Sequence, residues 1–296
     1  MTQNSRIAVF GANGQVGSAL LRRARLRNVS IAAFVKRDAD LADAETLRAL
    51  MSSSGARICV NAAAYTAVDR AESEPTLAFA VNRDGPRNLL AACRATGARL
   101  IHLSTDYVFD GNQVKPYKET DAPSPIGVYA RSKAEGESAL LNSGANPIVL
   151  RTAWVFGLEG NNFVKTMLRL GAEREVVRVV NDQSGSPTFA DDLADAILEI
   201  AGRIDTASSK IYHVAGQGAA TWYEFAREIF AEAAVRKLKC PRLEPITTAE
   251  YPTAAKRPAN SLLDCGLINS EFGISLPVWR DGLRRMLNAY LGTAAV

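Results

Sequence analysis

The chain has 296 residues, 47% of them hydrophobic and 22% charged, with a formal net charge of +4 at neutral pH. That length suits a full α/β domain with a smaller one attached, and so small an excess charge gives nucleic acid little to bind. No apolar run reaches the ~18 residues of a membrane span, and Met1 to Arg6 carries no leader pattern, so the expectation is a cytoplasmic protein without membrane contact.

Ile7 to Phe10 reads as a buried parallel strand, and the spacing of Val16, Leu20 and Leu21 reads as the helix after it. Between them lie Gly11, Gly14 and Gly17. The first permits a sharp turn, the second leaves room for a pyrophosphate, and the third lets the helix pack closely on the strand. Free N–H groups at the helix start then face the ligand's negative charge. Arg22, Arg23, Arg25 and Arg27 crowd the end of that helix and read as a solvated face suited to the helix dipole.

Ser30 to Val35 is a second strand, Asp43 to Met51 a helix, Arg57 to Val60 a third strand, Pro75 to Thr96 one long helix and Arg99 to Leu103 a fourth strand. Such alternation predicts a Rossmann-type α/β fold, a doubly wound parallel sheet over residues 1–150. Its ligands collect at the carboxyl ends of the strands. The second strand ends in Phe34-Val35-Lys36-Arg37 with no carboxylate, and two cations there suit the 2′-phosphate of NADPH better than the bare ribose of NADH. Small side chains at Ala62, Ala63 and Ala64 would let a flat cofactor lie against backbone. Cys59, Cys93, Cys240 and Cys265 have no paired spacing, and His102 and His213 sit in apolar strand patterns, so no metal centre is expected.

Chemistry concentrates between Ser104 and Lys133. After a turn-rich loop, Tyr129, Lys133, Glu137 and Leu140 recur at helical spacing, which puts Tyr129 and Lys133 on one face. An ammonium beside a phenol lowers the tyrosine pKa, and the pair can exchange a proton with a carbonyl oxygen that Thr105 also holds. Beyond Arg151 the alternation breaks up. Asn181 to Thr188 reads as a polar loop, Thr221 with Glu224 as a capping box opening a helix through Ala234, and Arg257 as a guanidinium suited to a pyrophosphate. Trp222 and Tyr223 read as packing residues. A smaller α/β domain over 151–296 is expected, with the chain crossing back into the first after 150.

The three glycines, Thr105 and the Tyr129-to-Lys133 spacing resemble the extended short-chain dehydrogenase/reductase superfamily. Val60-Asn61-Ala62-Ala63-Ala64, Ser104-Thr105-Asp106-Tyr107-Val108-Phe109, Arg151-Thr152-Ala153-Trp154-Val155, Asn181-Asp182-Gln183 and Arg257-Pro258-Ala259-Asn260-Ser261 narrow the likeness to the dTDP-4-dehydrorhamnose reductase family. By that resemblance Tyr129 is the proton donor, Lys133 binds the nicotinamide ribose, Thr105 positions the C4 carbonyl, and Asp106 and Trp154 contact a dTDP-sugar. Gln15 and Val16, Asp40 and Leu41, and Ala64, Tyr65 and Thr66 match cofactor-contacting positions, and residues 151–296 match the main sugar-nucleotide-binding part. Some members carry a glutamate where this chain has Ala19, part of a magnesium site between subunits, so magnesium is not expected and the chain is expected to be a monomer or a weak homodimer. Relatives often carry an acid where this chain has Phe34, which disfavours NADH. A sugar-nucleotide epimerase and a non-catalytic binding subunit remain alternatives, the second weakened by the intact Thr105, Tyr129 and Lys133.

Overall fold

The structure is a computed structural model describing residues 6–207 and 210–292. The leader reading of Met1 to Ser5 lies outside the described residues. Strand β1 (Ile7–Phe10) is followed by α1 (Gln15–Leu26), β2 (Ile31–Phe34), α2 (Ala44–Ser54) and β3 (Ile58–Asn61). The chain leaves β1 to pair β2 on one side and returns to pair β3 on the other, both parallel. That reversal leaves a crevice at the carboxyl ends of β1 and β3, where an open α/β sheet binds its ligands.

The long helix foreseen over Pro75 to Thr96 is three pieces. After α3 (Val68–Ala71), α4 (Pro75–Phe79) passes through a π-helical turn at Ala80–Asp84 into α5 (Gly85–Thr96). Pro86 has no N–H to donate to the carbonyl of Asn82, so the regular ladder is interrupted there. Gly136 uses the released carbonyl for close approach, since a Cβ on it would lie 2.1 Å from the Asn82 oxygen. β4 (Arg99–Thr105) runs two residues beyond the expected Leu103, α6 (Val128–Leu141) carries the Tyr129 and Lys133 positions, and β5 (Ile148–Thr152) pairs with β4.

Beyond β5 come β6 (Val155–Phe156), α7 (Phe163–Glu173), β7 (Val176–Val180), β8 (Ser184–Gly185), β9 (Thr188–Phe189), α8 (Ala190–Gly202), β10 (Ile211–His213), β11 (Ala220–Thr221), α9 (Trp222–Val235), β12 (Arg242–Ile246), α10 (Gly266–Phe272) and α11 (Trp279–Gly292). β10 joins the main sheet beside β5, giving six parallel strands in the order β10-β5-β4-β3-β1-β2. β7 and β12 pair separately, over a second core of Phe156, Met167, Phe225, Ile229, Trp279 and Leu283. The Asn181 to Thr188 stretch is more than a loop, because β8 pairs with β11 and β9 with β6. The Thr221 and Glu224 capping box forms as expected.

Leu20 and Ala24 of α1 pack with Leu193, Ile197 and Ile200 of α8 on one face of the sheet, and Leu47, Leu89, Leu90 and Leu140 pack on the other. The arginines closing α1 are largely not a solvated face. Arg22 pairs with Asp191 and Glu159, while Arg23 and Arg27 reach Asp195 at 2.6 and 2.8 Å, so they tie α1 to α8 and to the segment before α7; Arg25 stays exposed. Ala19 is fully buried in the first core and presents no surface group. No helix among the described residues is long and apolar enough to cross a membrane.

Candidate active site

A groove of about 780 Å³ opens at the carboxyl ends of β1, β3 and β4. Its floor is the glycine turn. Gly11 sits at φ +80°, and a Cβ there would lie 2.6 Å from Ala63 N; a Cβ on Gly17 would lie 2.1 Å from the Gly11 oxygen. Only glycine permits both the left-handed turn and the contact of helix with strand. Gly17 is thus a packing residue behind the groove, whereas Gly14, Gln15 and Val16 line it. Gly14 caps α1 without a side-chain bond, and the first turn holds no acid. The helix offers its unpaired N–H groups to an anion.

Along the rest of the groove lie Lys36, Asp40 and Leu41 on the β2 side and Ala63, Ala64, Tyr65 and Thr66 after β3. Arg37 is not among the lining residues. Its side chain is 89% exposed and its nearest acid is Asp38 at 3.6 Å, because the chain turns outward directly after Lys36.

The far wall brings together Thr105 and Asp106 from the end of β4 and Tyr129 and Lys133 from α6. Lys133 and Glu137 are buried one turn apart, and Glu137 in turn grips Arg151 of β5 at 2.6 Å, with both side chains at most 2% exposed. Arg151 also stacks on Phe109 and faces His213. This tie fixes the rotation of α6 about its axis. Asn82 holds its other side: its Oδ1 accepts Tyr65 N at 2.8 Å, and its Nδ2 donates to Tyr65 O and to the Ser132 hydroxyl, each at 3.0 Å.

Electrostatics here are governed by burial. The Tyr129 phenol is pushed up to about 12, chiefly by desolvation and further by Asp106, against a hydrogen bond with Thr105 that lowers it. Asp106 is itself pushed up to about 7 by burial, although Thr105 donates to its Oδ1 at 3.0 Å. Lys133 is pushed down to about 8 by burial, against the pull of Glu137, and its ammonium donates to Leu103 O at 2.6 Å. The expected lowering of the Tyr129 pKa by Lys133 is therefore corrected. The lysine is engaged with Leu103, and desolvation outweighs neighbouring charge.

Trp154 closes the end of the groove in a left-handed backbone conformation, φ +45°. That is uncommon for a bulky residue, and such strain collects at functional sites. Its indole stacks on Trp222 at 3.4 Å between ring centroids, and a Cβ on Gly185 would lie 2.4 Å from it. Trp222, expected only to pack, lines a second cavity of about 620 Å³ together with Met167, Val177, Val179, Gln183 and Arg257. Arg257 lines this cavity rather than the groove, already bonded to Asp69 at 2.7 Å and Thr253 at 2.6 Å. Among the described residues, Gln15 Oε1, Ser104 Oγ, Thr152 Oγ1 and Trp154 Nε1 are buried without a hydrogen-bond partner, and all four belong to residues lining the groove. Buried polar atoms cost about 1–3 kcal/mol each when unpaired, so their clustering marks a surface shaped for a polar ligand.

Residues 5–291 match the family model described as the RmlD substrate binding domain. The chain is 46% identical to the dTDP-4-dehydrorhamnose reductase of Sinorhizobium fredii over 97% of its own length and 98% of the relative's. The chain belongs to the dTDP-4-dehydrorhamnose reductase family. Another member, from Escherichia coli K12, is 42% identical over 98% of this chain and 99% of its own. A crystal structure of the family's enzyme from Bacillus anthracis Ames in complex with NADP superposes with a TM-score of 0.90 at 36% identity, covering 97% of this chain and all of that one. The Thermus thermophilus UDP-glucose 4-epimerase, at 22% identity and a TM-score of 0.79, shares the fold.

Four residues of this family member's site escape sequence reasoning. Asn61, Asn82 and His102 are buried polar residues behind the groove wall and Trp222 lines the second cavity, all meaningful only once strand register and helix packing bring them together. Asn82 alone leaves a signal, a proline four residues on.

Proposed function

We propose that this family member reduces the C4 keto group of dTDP-4-dehydro-L-rhamnose to dTDP-L-rhamnose with NADPH, the final step in making that activated sugar. The observation that carries the reading is one groove in which a phenol donor, a hydroxyl and a buried lysine face a glycine turn built for a pyrophosphate. The residues fit the cofactor. The turn has no room for a Cβ at Gly11 or Gly17, the α1 N-terminus is open to an anion, and Gln15 Oε1 lacks a partner. Gly14, Gln15 and Val16 would hold the pyrophosphate, Lys36 the 2′-phosphate, Asp40 and Leu41 the adenine side, and Ala63, Ala64, Tyr65 and Thr66 the remainder.

When bound, NADPH supplies the hydride for C4. The chain's own part is the proton. With its pKa near 12, Tyr129 is fully protonated at neutral pH and gives its phenolic proton to the carbonyl oxygen as that oxygen gains charge. Thr105, beside Tyr129 on the groove wall, steers the same oxygen. Asp106 is largely neutral below pH 7, so it does not oppose the developing negative charge. The Lys133 ammonium holds the nicotinamide ribose. Holding donor and carbonyl in contact removes much of the entropic part of the barrier.

The second cavity suits the nucleotide half of a dTDP-sugar. Its apolar wall and Trp222 offer a base a face to stack on, and Arg257 offers a diphosphate paired hydrogen bonds. The stacked Trp154 and Trp222 join it to the groove, so the sugar lies where the two meet. Most sugar-nucleotide contacts then come from residues 151–296, with 1–150 holding the cofactor. We infer a chain working in the cytoplasm as a monomer or weak homodimer without magnesium.

The test follows reduced-cofactor absorbance while the dTDP-4-keto sugar is generated in situ by the preceding pathway enzymes. Stoichiometric consumption of NADPH with formation of dTDP-L-rhamnose is expected. Cofactor retained through turnover, with only inversion of the sugar, would replace the reductase reading with an epimerase.

A further inference from the structure

Asn61 at the end of β3 and His102 in β4 are register partners in the sheet, and both are fully buried. One orientation of the Asn61 amide serves both its contacts. Oδ1 accepts the Ala63 N–H at 3.1 Å, which leaves Nδ2 facing His102 Nδ1 at 3.0 Å. Since Nδ2 donates, Nδ1 carries the lone pair, and a neutral imidazole then bears its proton on Nε2. The ring is neutral because burial, with the Lys133 charge beside it, holds its pKa well below the usual histidine value. Nε2 lies 3.4 Å from Lys133 Nζ. An ammonium at Nζ meets that N–H donor with a donor of its own. An uncharged amine turns its lone pair toward it.

We propose that His102, fixed by Asn61 as the Nε2–H tautomer, is a positioning residue that makes the Lys133 proton easy to lose and so sets the alkaline limit of the reaction. The consequence for catalysis rests on the reductase reading above; the ionisation of Lys133 does not. Leu103 O accepts from ammonium or amine, more strongly from the ammonium, so this anchor keeps Nζ in place in either state and its pull is the same in the parent and in variants at position 102. Other ionisable groups around the pair do not take over the task. From α6 itself, Glu137 favours the ammonium and Tyr129 faces the groove. From the turn after β4, Asp106 lines the groove and Tyr107 packs edge-on to Tyr129. Arg151 of β5 grips Glu137, and His213 of β10 faces Arg151. Arg83 of the π turn pairs with Asp84 and with Glu135, Asp69 of α3 pairs with Arg257, Arg87 of α5 faces Asp84, and Arg94 donates to Ser143 O.

The experiment is carried out on the full chain without sugar or cofactor. Long-range ¹H–¹⁵N correlation reads the His102 tautomer directly, and ¹³C-lysine labelling, with Lys133→Arg for assignment, follows the Lys133 ionisation through its Cε shift. We expect a proton on Nε2 and none on Nδ1 at neutral pH, and a Lys133 midpoint in the mildly alkaline range. In His102→Asn, Oδ1 still accepts from Asn61 while nothing donates toward Nζ, so the midpoint should rise by about one pH unit. In His102→Gln, an amide N–H reaches toward Nζ, and the midpoint should stay near the parent value. The alkaline limb of kcat should move with the Lys133 midpoint in both variants. A parent protein protonated on Nδ1 overturns the proposal without any variant, and so does an equal midpoint in His102→Asn. A limb that stays put while the midpoint moves overturns the catalytic half. Absence of reductase activity would instead overturn the functional reading and leave the tautomer and titration results standing.

Discussion

Tyr129 is a groove residue whose proposed chemistry resides in a single oxygen. Tyr129→Phe should leave the fold and cofactor affinity intact and lower turnover by at least ~10², the usual scale for removing a general acid; stopped-flow turnover beside cofactor titration separates the two. Lys36 and Arg37 were indistinguishable in the sequence, yet only Lys36 lines the groove. A charge-assisted hydrogen bond to a 2′-phosphate contributes about 1.5–3 kcal/mol, toward the lower end for an exposed lysine. Lys36→Ala should therefore cut the preference for NADPH over NADH in kcat/KM by roughly ten-fold, and Arg37→Ala should change it little. Equal effects from the two would put the 2′-phosphate outside the groove. Tyr129 and Lys133 were legible because both lie on one helix, where spacing gives the face. Asn61 and His102 were not, because their meeting depends on β3 and β4 pairing in one register across 41 residues of sequence.

At the scale of elements, α6 must be held at one rotation for Tyr129 and Lys133 to reach the groove together, and the buried Glu137 to Arg151 pair to β5 supplies that constraint. Breaking such a pair from one side leaves an uncompensated charge, whereas removing both leaves none. Arg151→Leu should cost about 3–5 kcal/mol of stability, and the double variant Glu137→Leu, Arg151→Leu clearly less, as read by denaturant unfolding. A double variant as damaged as the single one would mean that Arg151 acts through Phe109 and His213 instead. The main strands were legible as apolar runs because a parallel sheet is buried on both faces, β1, β3 and β5 throughout. The π turn was not. It depends on a missing N–H at Pro86 within a run whose apolar periodicity continues unbroken. The strands of two residues between Asn181 and Thr188 have no period to read, and pairing alone defines them.

Across the whole molecule the buried ionisable groups oppose one another, and their balance gives stability a definite slope with pH. His213 is pushed down to about 3 and His102 well below its usual value, both by burial. The unfolded chain takes up a proton on each near pH 6.5 while the folded chain does not, so acid favours unfolding through both. Asp106, pushed up to about 7, acts in the other sense. The folded chain holds its proton while the unfolded carboxyl, at about 3.9, has released it, so between those limits acid favours folding through this group. Each group contributes a slope of up to about 1.4 kcal/mol per pH unit, so two histidines outweigh one carboxyl. Glu119, also raised by burial, works on the side of Asp106 and trims the excess, mostly near its own usual pKa. Between pH 6.5 and 5 the protein should therefore lose stability as pH falls, by at most roughly 1 kcal/mol per unit. Asp106→Asn removes the largest opposing contribution and should steepen the fall over the same window. Urea midpoints measured every half unit of pH provide the check. A flat profile in the parent chain would mean that the two imidazoles are not both held neutral, and with that the tautomer assigned to His102 would lose its footing; a profile no steeper in Asp106→Asn would mean instead that the Asp106 carboxyl is not raised.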